Sequence, residues 1–131
     1  MRHQIPQMLK TGGGAIVNCA SVAGLVAAPY VGAYAAAKHG VVGMTKTAAI
    51  EYAGSGIRIN AVAPGAIDTP MLRGAMAARG SREEDVLARL SLIGRFGQPA
   101  EIANAVLWLC SDQASYTMGH VLSVDGGYLA R

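Results

Sequence analysis

The segment SVAGLVAAPYVGAYAAAK, residues 21–38, places Ser21 thirteen positions before Tyr34, and Tyr34 four positions before Lys38. On an α-helix, side chains at positions i and i+4 lie on one face about 6 Å apart along the axis, so Tyr34 and Lys38 can reach one site. A lysine ammonium about 5 Å from a phenol, at an effective dielectric constant of about 20, favours the phenolate by roughly 3 kcal/mol. The spacing therefore predicts a tyrosine suited to general acid–base catalysis, with a serine hydroxyl at the end of a preceding strand to hold the substrate oxygen.

A Tyr-x-x-x-Lys pair also occurs without any function. The chain has 5 tyrosines and 11 lysines and arginines, so one such spacing by chance is common. Support for a catalytic interpretation has to come from the rest of the chain.

The composition is that of at most one globular domain with a substantial core. Of the 131 residues, 52% are apolar and 15% are charged, and this length is sufficient to bury a core. The net charge of +3 comes from scattered basic residues without interleaved aromatic side chains, so nucleic-acid binding is not predicted. No apolar run reaches membrane-spanning length, and residues 1–10 lack the apolar region of a signal peptide. The sequence predicts a cytoplasmic protein with no membrane partner.

The cysteines and histidines form no metal-binding pattern. Cys19 lies in an apolar run and Cys110 near the end of a helical pattern, and we predict both to be reduced cysteines of the core. The three histidines are far apart in the sequence, and neither cysteine has metal-ligand spacing. No metal site is predicted, and Trp108 is expected to lie in the core.

Apolar runs bounded by glycines indicate three strands, at residues 15–20, 57–63 and 120–124. The first two are separated by a long helical pattern over residues 32–53, rich in alanine and glycine. A strand–helix–strand order implies a right-handed crossover between parallel strands. The sequence therefore predicts an α/β fold.

Further helical patterns cover residues 1–10, 71–80, 81–92 and a segment from residue 99 onward. For the third of these, Ser81 at the N-cap and Glu84 three positions later match a capping box. Pro99 would occupy the favoured first position of the last helix.

The loop PGAIDTP, residues 64–70, directly follows the second predicted strand. Its prolines and glycine would hold it at the C-terminal end of a parallel strand, where open α/β sheets bind ligands. Ser21 lies just past the first strand, at the same edge. We therefore predict that backbone amides of this loop face a ligand, at the edge of the sheet where Ser21 also lies.

Taken in order, these segments resemble the C-terminal half of the short-chain dehydrogenase/reductase family, and the resemblance covers nearly all of the chain. Ser21, Tyr34 and Lys38 stand at that family's catalytic spacing. The resemblance implies the C-terminal part of a Rossmann-like doubly wound parallel sheet, with three strands and flanking helices. Residues 1–131 would then form the C-terminal portion of a single domain of this family.

Two further regions carry the resemblance. The loop after the second strand is similar to the family's nicotinamide-binding segment at Pro64, Gly65, Ile67 and Thr69. The segment RFGQPAEIA, residues 95–103, and residues 119–127 resemble the family's C-terminal signature.

The resemblance implies reversible hydride transfer between NAD or NADP and a small alcohol or ketone. Tyr34 would be the acid–base group, and Lys38 would favour its phenolate and bind the nicotinamide ribose, so that both residues also contact the cofactor. Ser21 would orient the substrate oxygen. Ile67 through its backbone and Thr69 through its hydroxyl would hold the carboxamide.

The resemblance also implies a lid over the substrate, formed by residues 71–92 and called the lid segment below. It further implies a homo-oligomer, a dimer or tetramer, with the long helix and the last strand at subunit contacts. The lid segment is apolar with scattered arginines, which suits hydrophobic or mildly anionic carbonyl compounds.

Some parts of the family pattern are not in this chain. The Gly-rich turn that cradles the pyrophosphate follows the first strand of such domains, whereas the glycines of residues 12–14 precede a strand. The residue that selects NAD or NADP is also missing, so that choice stays open. Either the sequence is part of a full-length dehydrogenase, or it is a truncated non-catalytic fragment acting at most as an oligomerisation or binding module. A third interpretation gives the full-length protein epimerase or dehydratase chemistry, but the complete Ser-Tyr-Lys set favours dehydrogenation.

Overall fold

Three parallel strands form the centre of the molecule, with β2 lying between β1 and β3. The structure, a computed structural model, describes residues 1–131. Its elements in chain order are α1 (Gln4–Thr11), β1 (Gly14–Cys19), α2 (Gly32–Tyr52), β2 (Ile57–Pro64), α3 (Pro70–Arg79), α4 (Glu83–Leu90), α5 (Pro99–Cys110) and β3 (Val121–Val124). The predicted α/β class is confirmed, and each strand boundary lies within one residue of its predicted position. None of the helices combines the length and the apolar character that crossing a bilayer requires.

β2 is the buried centre of the sheet because it has a strand on each side and helices on both faces. Its residues Ile57, Ile59, Ala61 and Ala63 are fully buried. One cluster joins this strand to α1, β1 and α2 and consists of Ile5, Ile16, Ala48, Ala49, Ile57 and Ile59. Side chains alternate between the faces of a strand, so positions 58 and 60 point to the other face, towards the end of α5.

The Arg58 side chain lies on that face and hydrogen-bonds backbone carbonyl groups at the C-terminal end of α5. Its Nη1 donates to the carbonyl oxygens of Leu109 at 2.7 Å and Ala114 at 3.1 Å, and its Nη2 to those of Cys110 at 3.2 Å and Ser111 at 3.0 Å. The last carbonyl groups of a helix have no partner within the helix, so these bonds replace a conventional cap.

Asn60 fixes the entry to β3 from the same face. Its Nδ2 donates to the Thr117 carbonyl at 2.9 Å, and its Oδ1 accepts from the His120 N–H at 2.9 Å. Asn60 is buried, and both ends of its side chain are satisfied. Two polar residues of a buried strand thus position the last helix and the last strand.

The predicted capping box at Ser81 is wrong. α4 begins at Glu83, and Ser81 instead belongs to the end of α3, where Gly80 takes the left-handed conformation at φ 60°. The Gly80 N–H donates to the Ala77 carbonyl and the Ser81 N–H to the Met76 carbonyl, which is the Schellman arrangement. The backbone of Ser81 is therefore already used to close the preceding helix.

The core assignments of three residues are also wrong. Cys19 and Cys110 are free cysteines, but both are exposed, and Trp108 retains 39% of its accessible surface. Cys19 ends β1, which pairs only with β2, and Cys110 is the last residue of α5. An apolar run indicates that a segment is buried on average, but not which of its side chains face the core.

We predict that Arg58→Met lowers the free energy of unfolding by about 1–3 kcal/mol, because it removes four hydrogen bonds to helix-end carbonyl groups. Urea denaturation of the 131-residue chain measures the change. The matched control is Arg79→Met, since Arg79 is exposed on α3, and its effect should stay within about 0.5 kcal/mol. Equal effects of the two substitutions would contradict the role given to Arg58.

Candidate active site

Ser21 lies at the C-terminal edge of the sheet, two residues beyond the end of β1. It begins a single helical turn over Val22–Gly24, and its Oγ accepts a hydrogen bond from the Ala23 N–H at 3.2 Å. The residue is 8% exposed. This bond uses an acceptor site and leaves the hydroxyl proton free to be donated to a ligand oxygen.

Tyr34 and Lys38 lie on the first turns of α2 and share one face, as the spacing predicts. The Lys38 Nζ lies 5.6 Å from the centroid of the Tyr34 ring and donates to the Cys19 carbonyl at 3.0 Å. Lys38 therefore connects the helix that carries the tyrosine to the strand that leads to the serine. Tyr34 is 43% exposed.

The contact between Gly24 and Lys38 brings the turn that begins at Ser21, residues 21–24, against α2; it is called the serine turn below. A Cβ atom at Gly24 would lie 2.6 Å from the Lys38 carbonyl oxygen and 2.7 Å from its carbonyl carbon. Only a residue without a side chain allows this approach. Nothing in the sequence singles out Gly24, because a glycine in a loop beside a helix of small residues is common.

The Ile67 loop, residues 64–69, is the second part of the site. Ile67 forms a parallel bridge with Gly97, in which the Gly97 N–H donates to the Ala66 carbonyl at 2.9 Å and the Asp68 N–H to the Gly97 carbonyl at 2.8 Å. In such a bridge the N–H and C=O groups of Ile67 itself point away from Gly97. The Ile67 N–H has no acceptor within the chain, so it can donate to a ligand.

The Thr69 hydroxyl already makes two hydrogen bonds within the chain, which the sequence does not predict. It is the N-cap of α3: its Oγ1 accepts from the Leu72 N–H at 3.3 Å and donates to the Ile67 carbonyl at 3.3 Å. A hydroxyl has one donor and two acceptor sites, so one acceptor site remains for a ligand amide.

Pro64 and Gly65 hold the start of the loop. Pro64 is the last residue of β2, paired with Val124, and a Cβ atom at Gly65 would lie 2.7 Å from the Cα of Asp125. The Asp125 carboxylate accepts from the N–H groups of Gly127 at 2.9 Å and Leu129 at 3.0 Å. The turn after β3 is therefore held by hydrogen bonds of its own and packs against the start of the Ile67 loop.

Arg95 and Glu101 stabilise the turn that carries Gly97. Arg95 donates twice to the Glu101 carboxylate, at 2.9 and 2.7 Å, and the Gln98 N–H donates to it at 2.7 Å. These bonds, above all those from Arg95, lower the pKa of Glu101 to about 2. The carboxylate therefore stays ionised near neutral pH and keeps the turn in place.

The structure does not bring all the predicted residues into direct contact. No hydrogen bond joins the Ser21 hydroxyl to that of Tyr34, and none joins either to the Ile67 loop. A cavity of about 60 Å³ lies between the Ile67 loop, the 91–97 turn and the turn after β3, but Ser21, Tyr34 and Lys38 do not line it. No group of three or more His, Cys, Asp or Glu side chains is arranged to hold a metal ion.

We predict that Gly24→Ala lowers the free energy of unfolding by about 1–3 kcal/mol, because the added methyl group forces the serine turn away from α2. The matched control is Gly74→Ala, within α3, where nothing lies within 4 Å of the added Cβ. That change should stabilise the chain by roughly 0.5–1 kcal/mol, as expected for a helix interior. Urea denaturation gives both values, and two changes of the same sign would contradict the close contact at Gly24.

Known proteins match nearly the whole chain in sequence. A family model described as enoyl-(acyl carrier protein) reductase matches residues 1–129. The chain is 48% identical over 131 residues to the cyclohexanol dehydrogenase of Acinetobacter sp. (strain SE19), covering 100% of this chain and 49% of that protein. It is 49% identical over 123 residues to a 3-oxoacyl-(acyl-carrier-protein) reductase of Thermotoga maritima, covering 94% of this chain and 48% of that protein.

Solved structures show the same likeness. ElxO with NADP bound superimposes with a TM-score of 0.91 at 38% identity, covering 100% of this chain and 52% of that one. Levodione reductase also gives a TM-score of 0.91, at 43% identity, covering 98% of this chain and 52% of that one. The chain spans about half the length of the curated relatives it matches. From the family match and the shared fold, this chain belongs to the short-chain dehydrogenase/reductase family.

Proposed function

We propose that this chain supplies the acid–base residues and the nicotinamide-facing loop of an NAD(P)-dependent oxidoreductase. The reaction is reversible hydride transfer between the cofactor and an alcohol or ketone. Ser21, Tyr34 and Lys38 are its catalytic residues. Tyr34, Lys38 and the Ile67 loop, through Pro64, Gly65, Ile67 and Thr69, form this chain's part of the cofactor site.

The observation that carries this proposal is the placement of the Lys38 ammonium. It lies 5.6 Å from the Tyr34 ring and bonds a carbonyl oxygen two residues before Ser21. Its first role is structural, since it joins the helix that carries Tyr34 to the strand that leads to Ser21. A second role follows from its three donor positions, since the ammonium can also bond a ribose hydroxyl.

The proton moves between the substrate oxygen and Tyr34. In oxidation, the Tyr34 oxygen takes the hydroxyl proton of the alcohol while the carbon loses a hydride and its C–O bond becomes a carbonyl. In reduction, Tyr34 returns that proton to the oxygen. The Ser21 hydroxyl donates a hydrogen bond to the same oxygen and stabilises the charge that develops on it.

The residues of the Ile67 loop fit a nicotinamide carboxamide. The Ile67 N–H, free of any acceptor in the chain, matches the carboxamide oxygen, and the remaining acceptor site of the Thr69 hydroxyl matches its NH₂ group. A nicotinamide held there would supply the hydride acceptor for oxidation and the hydride donor for reduction. The loop thereby fixes the orientation of the ring relative to Tyr34.

We propose a secondary alcohol on a small ring as the first substrate class to test. Three relatives at 46–49% identity are named cyclohexanol, 2,5-dichloro-2,5-cyclohexadiene-1,4-diol and cis-4-hydroxycyclohexanecarboxylate dehydrogenases. The apolar side chains of the lid segment suit such rings, and Met71 there is exposed.

We infer that the working enzyme is longer than this chain and homo-oligomeric, a dimer or tetramer. Its relatives are about twice as long. On α2, nothing lies within 4 Å of a Cβ added at Gly40 or Gly43, which leaves room for a second helix to pack closely. The alternative is a non-catalytic oligomerisation or binding module, and in-frame stop codons directly upstream of the Met1 codon would favour it.

The proposal predicts that Tyr34→Phe, in the protein encoded by the complete reading frame, lowers kcat/KM for alcohol oxidation by about 10²–10⁴-fold, because the proton acceptor is lost. Cofactor affinity, measured by calorimetry, should change much less. The control is Tyr116→Phe, since Tyr116 is fully exposed and distant in sequence from the site, and it should leave kcat/KM unchanged. Unchanged alcohol oxidation by Tyr34→Phe would overturn the mechanism.

A further inference from the structure

Arg73 contacts three other segments of the chain from one position in the first turn of α3. Its Nε and Nη2 bind the two carboxylate oxygens of Asp68 at 2.7 and 2.9 Å, and its Nη1 binds Glu83 at the start of α4. Its guanidinium also lies over the ring of Phe96, with its central carbon 5.1 Å from the centroid. All three partners lie outside α3.

Two of these partners flank the bridge that orients the Ile67 amide. Asp68 follows Ile67 and donates its own N–H to Gly97, while Phe96 precedes Gly97. One side chain therefore contacts both segments of the bridge, at Asp68 just after it in one segment and at Phe96 just before it in the other. The bidentate bonds to Asp68 also account for the lowered pKa of that carboxyl.

The lid segment has a small core of its own. Met76 of α3 and Val86 of α4 pack against Phe96, with Ala66, Leu72, Leu87 and Leu90 around them. This cluster is separate from those of the sheet. The two lid helices therefore hold together as a unit, which meets the rest of the site at Phe96, Ala66 and the Arg73 contacts.

A single exposed ion pair contributes little to stability, but a bidentate arginine within a network is the recognised exception. The side chains of Arg73, Asp68 and Glu83 are 44%, 34% and 49% exposed, so the network is open to solvent. Its importance lies in where it fixes the chain, since it joins two helices and both sides of the bridge.

We propose that Arg73 is a positioning residue that couples the packing of the lid segment to the orientation of the Ile67 backbone amide. The inference rests on the proposed function in giving that amide to the cofactor. When the lid helices move away from the Ile67 loop and the 91–97 turn, Asp68 and Phe96 lose their contacts with Arg73. The Ile67–Gly97 bridge then loosens. Conversely, a ligand held by the Ile67 amide stabilises the packed lid.

Hydrogen exchange on the protein encoded by the complete reading frame, with no cofactor added, tests the coupling without an activity measurement. Arg73→Met should speed exchange of the Asp68 and Gly97 amides, which form the bridge, by about tenfold, while amides of the buried strand β2 keep their protection. The matched control is Arg82→Met, which removes a bidentate arginine–aspartate pair that lies within α4 and its cap. That variant should leave the bridge amides unchanged.

A second variant separates charge from geometry. Arg73→Lys keeps the positive charge but cannot form the two parallel bonds to Asp68. It should protect the bridge amides less well than wild type, although the chain stays folded. Wild-type protection of Asp68 and Gly97 in Arg73→Met, or an equal loss in Arg82→Met, would overturn the inference.

Cofactor affinity in the protein encoded by the complete reading frame separates this inference from the function it rests on. Arg73→Met should weaken NADP or NAD binding by about five- to tenfold in calorimetry, with Arg82→Met unchanged. If the bridge amides exchange faster as expected and affinity is unchanged, the assignment of the Ile67 amide to the cofactor fails while the coupling stands. If affinity falls without faster exchange at the bridge, the coupling fails.

Discussion

The site depends on one lysine that spans the gap between a strand and a helix. Lys38 donates to the Cys19 carbonyl at the end of β1 and lies beside the ring of Tyr34 on α2. Gly24 of the serine turn comes closest to α2 at the backbone carbonyl of Lys38. Three chemical groups that are 13 and 4 residues apart in sequence therefore share one edge of the sheet, because a strand end and a helix start meet there.

The Ile67 loop is supported by two turns on its far side and not by the proposed catalytic residues. The turn after β3 supports the start of the Ile67 loop at Gly65, and the turn before α5 supports its middle through Gly97. Arg95 and Glu101 fix that second turn with charged hydrogen bonds. The two C-terminal segments that resemble the family's signature, residues 95–103 and 119–127, thus support the loop that presents the Ile67 N–H.

Local pattern was sufficient for the strands, the long helix and the shared face of Tyr34 and Lys38, because these follow from the periods of 2 and 3.6 residues. It was not sufficient where a group has two possible partners. The Ser81 backbone closes α3, so the capping box does not form, and Cys19, Cys110 and Trp108 lie on the exposed sides of apolar runs. Arg58 could not be predicted, since its partners are 51 to 56 residues away along the chain.

The proposed function requires direct hydride transfer at this edge of the sheet. An isotope-transfer experiment checks this with the protein encoded by the complete reading frame, NAD or NADP, and cyclohexanol with deuterium at its carbinol carbon. We predict that the reduced nicotinamide gains that deuterium, as seen by mass spectrometry, and that cyclohexanone forms in equal amount. Turnover of the alcohol without deuterium in the cofactor, as in loss of water or inversion at the carbon, would contradict the account.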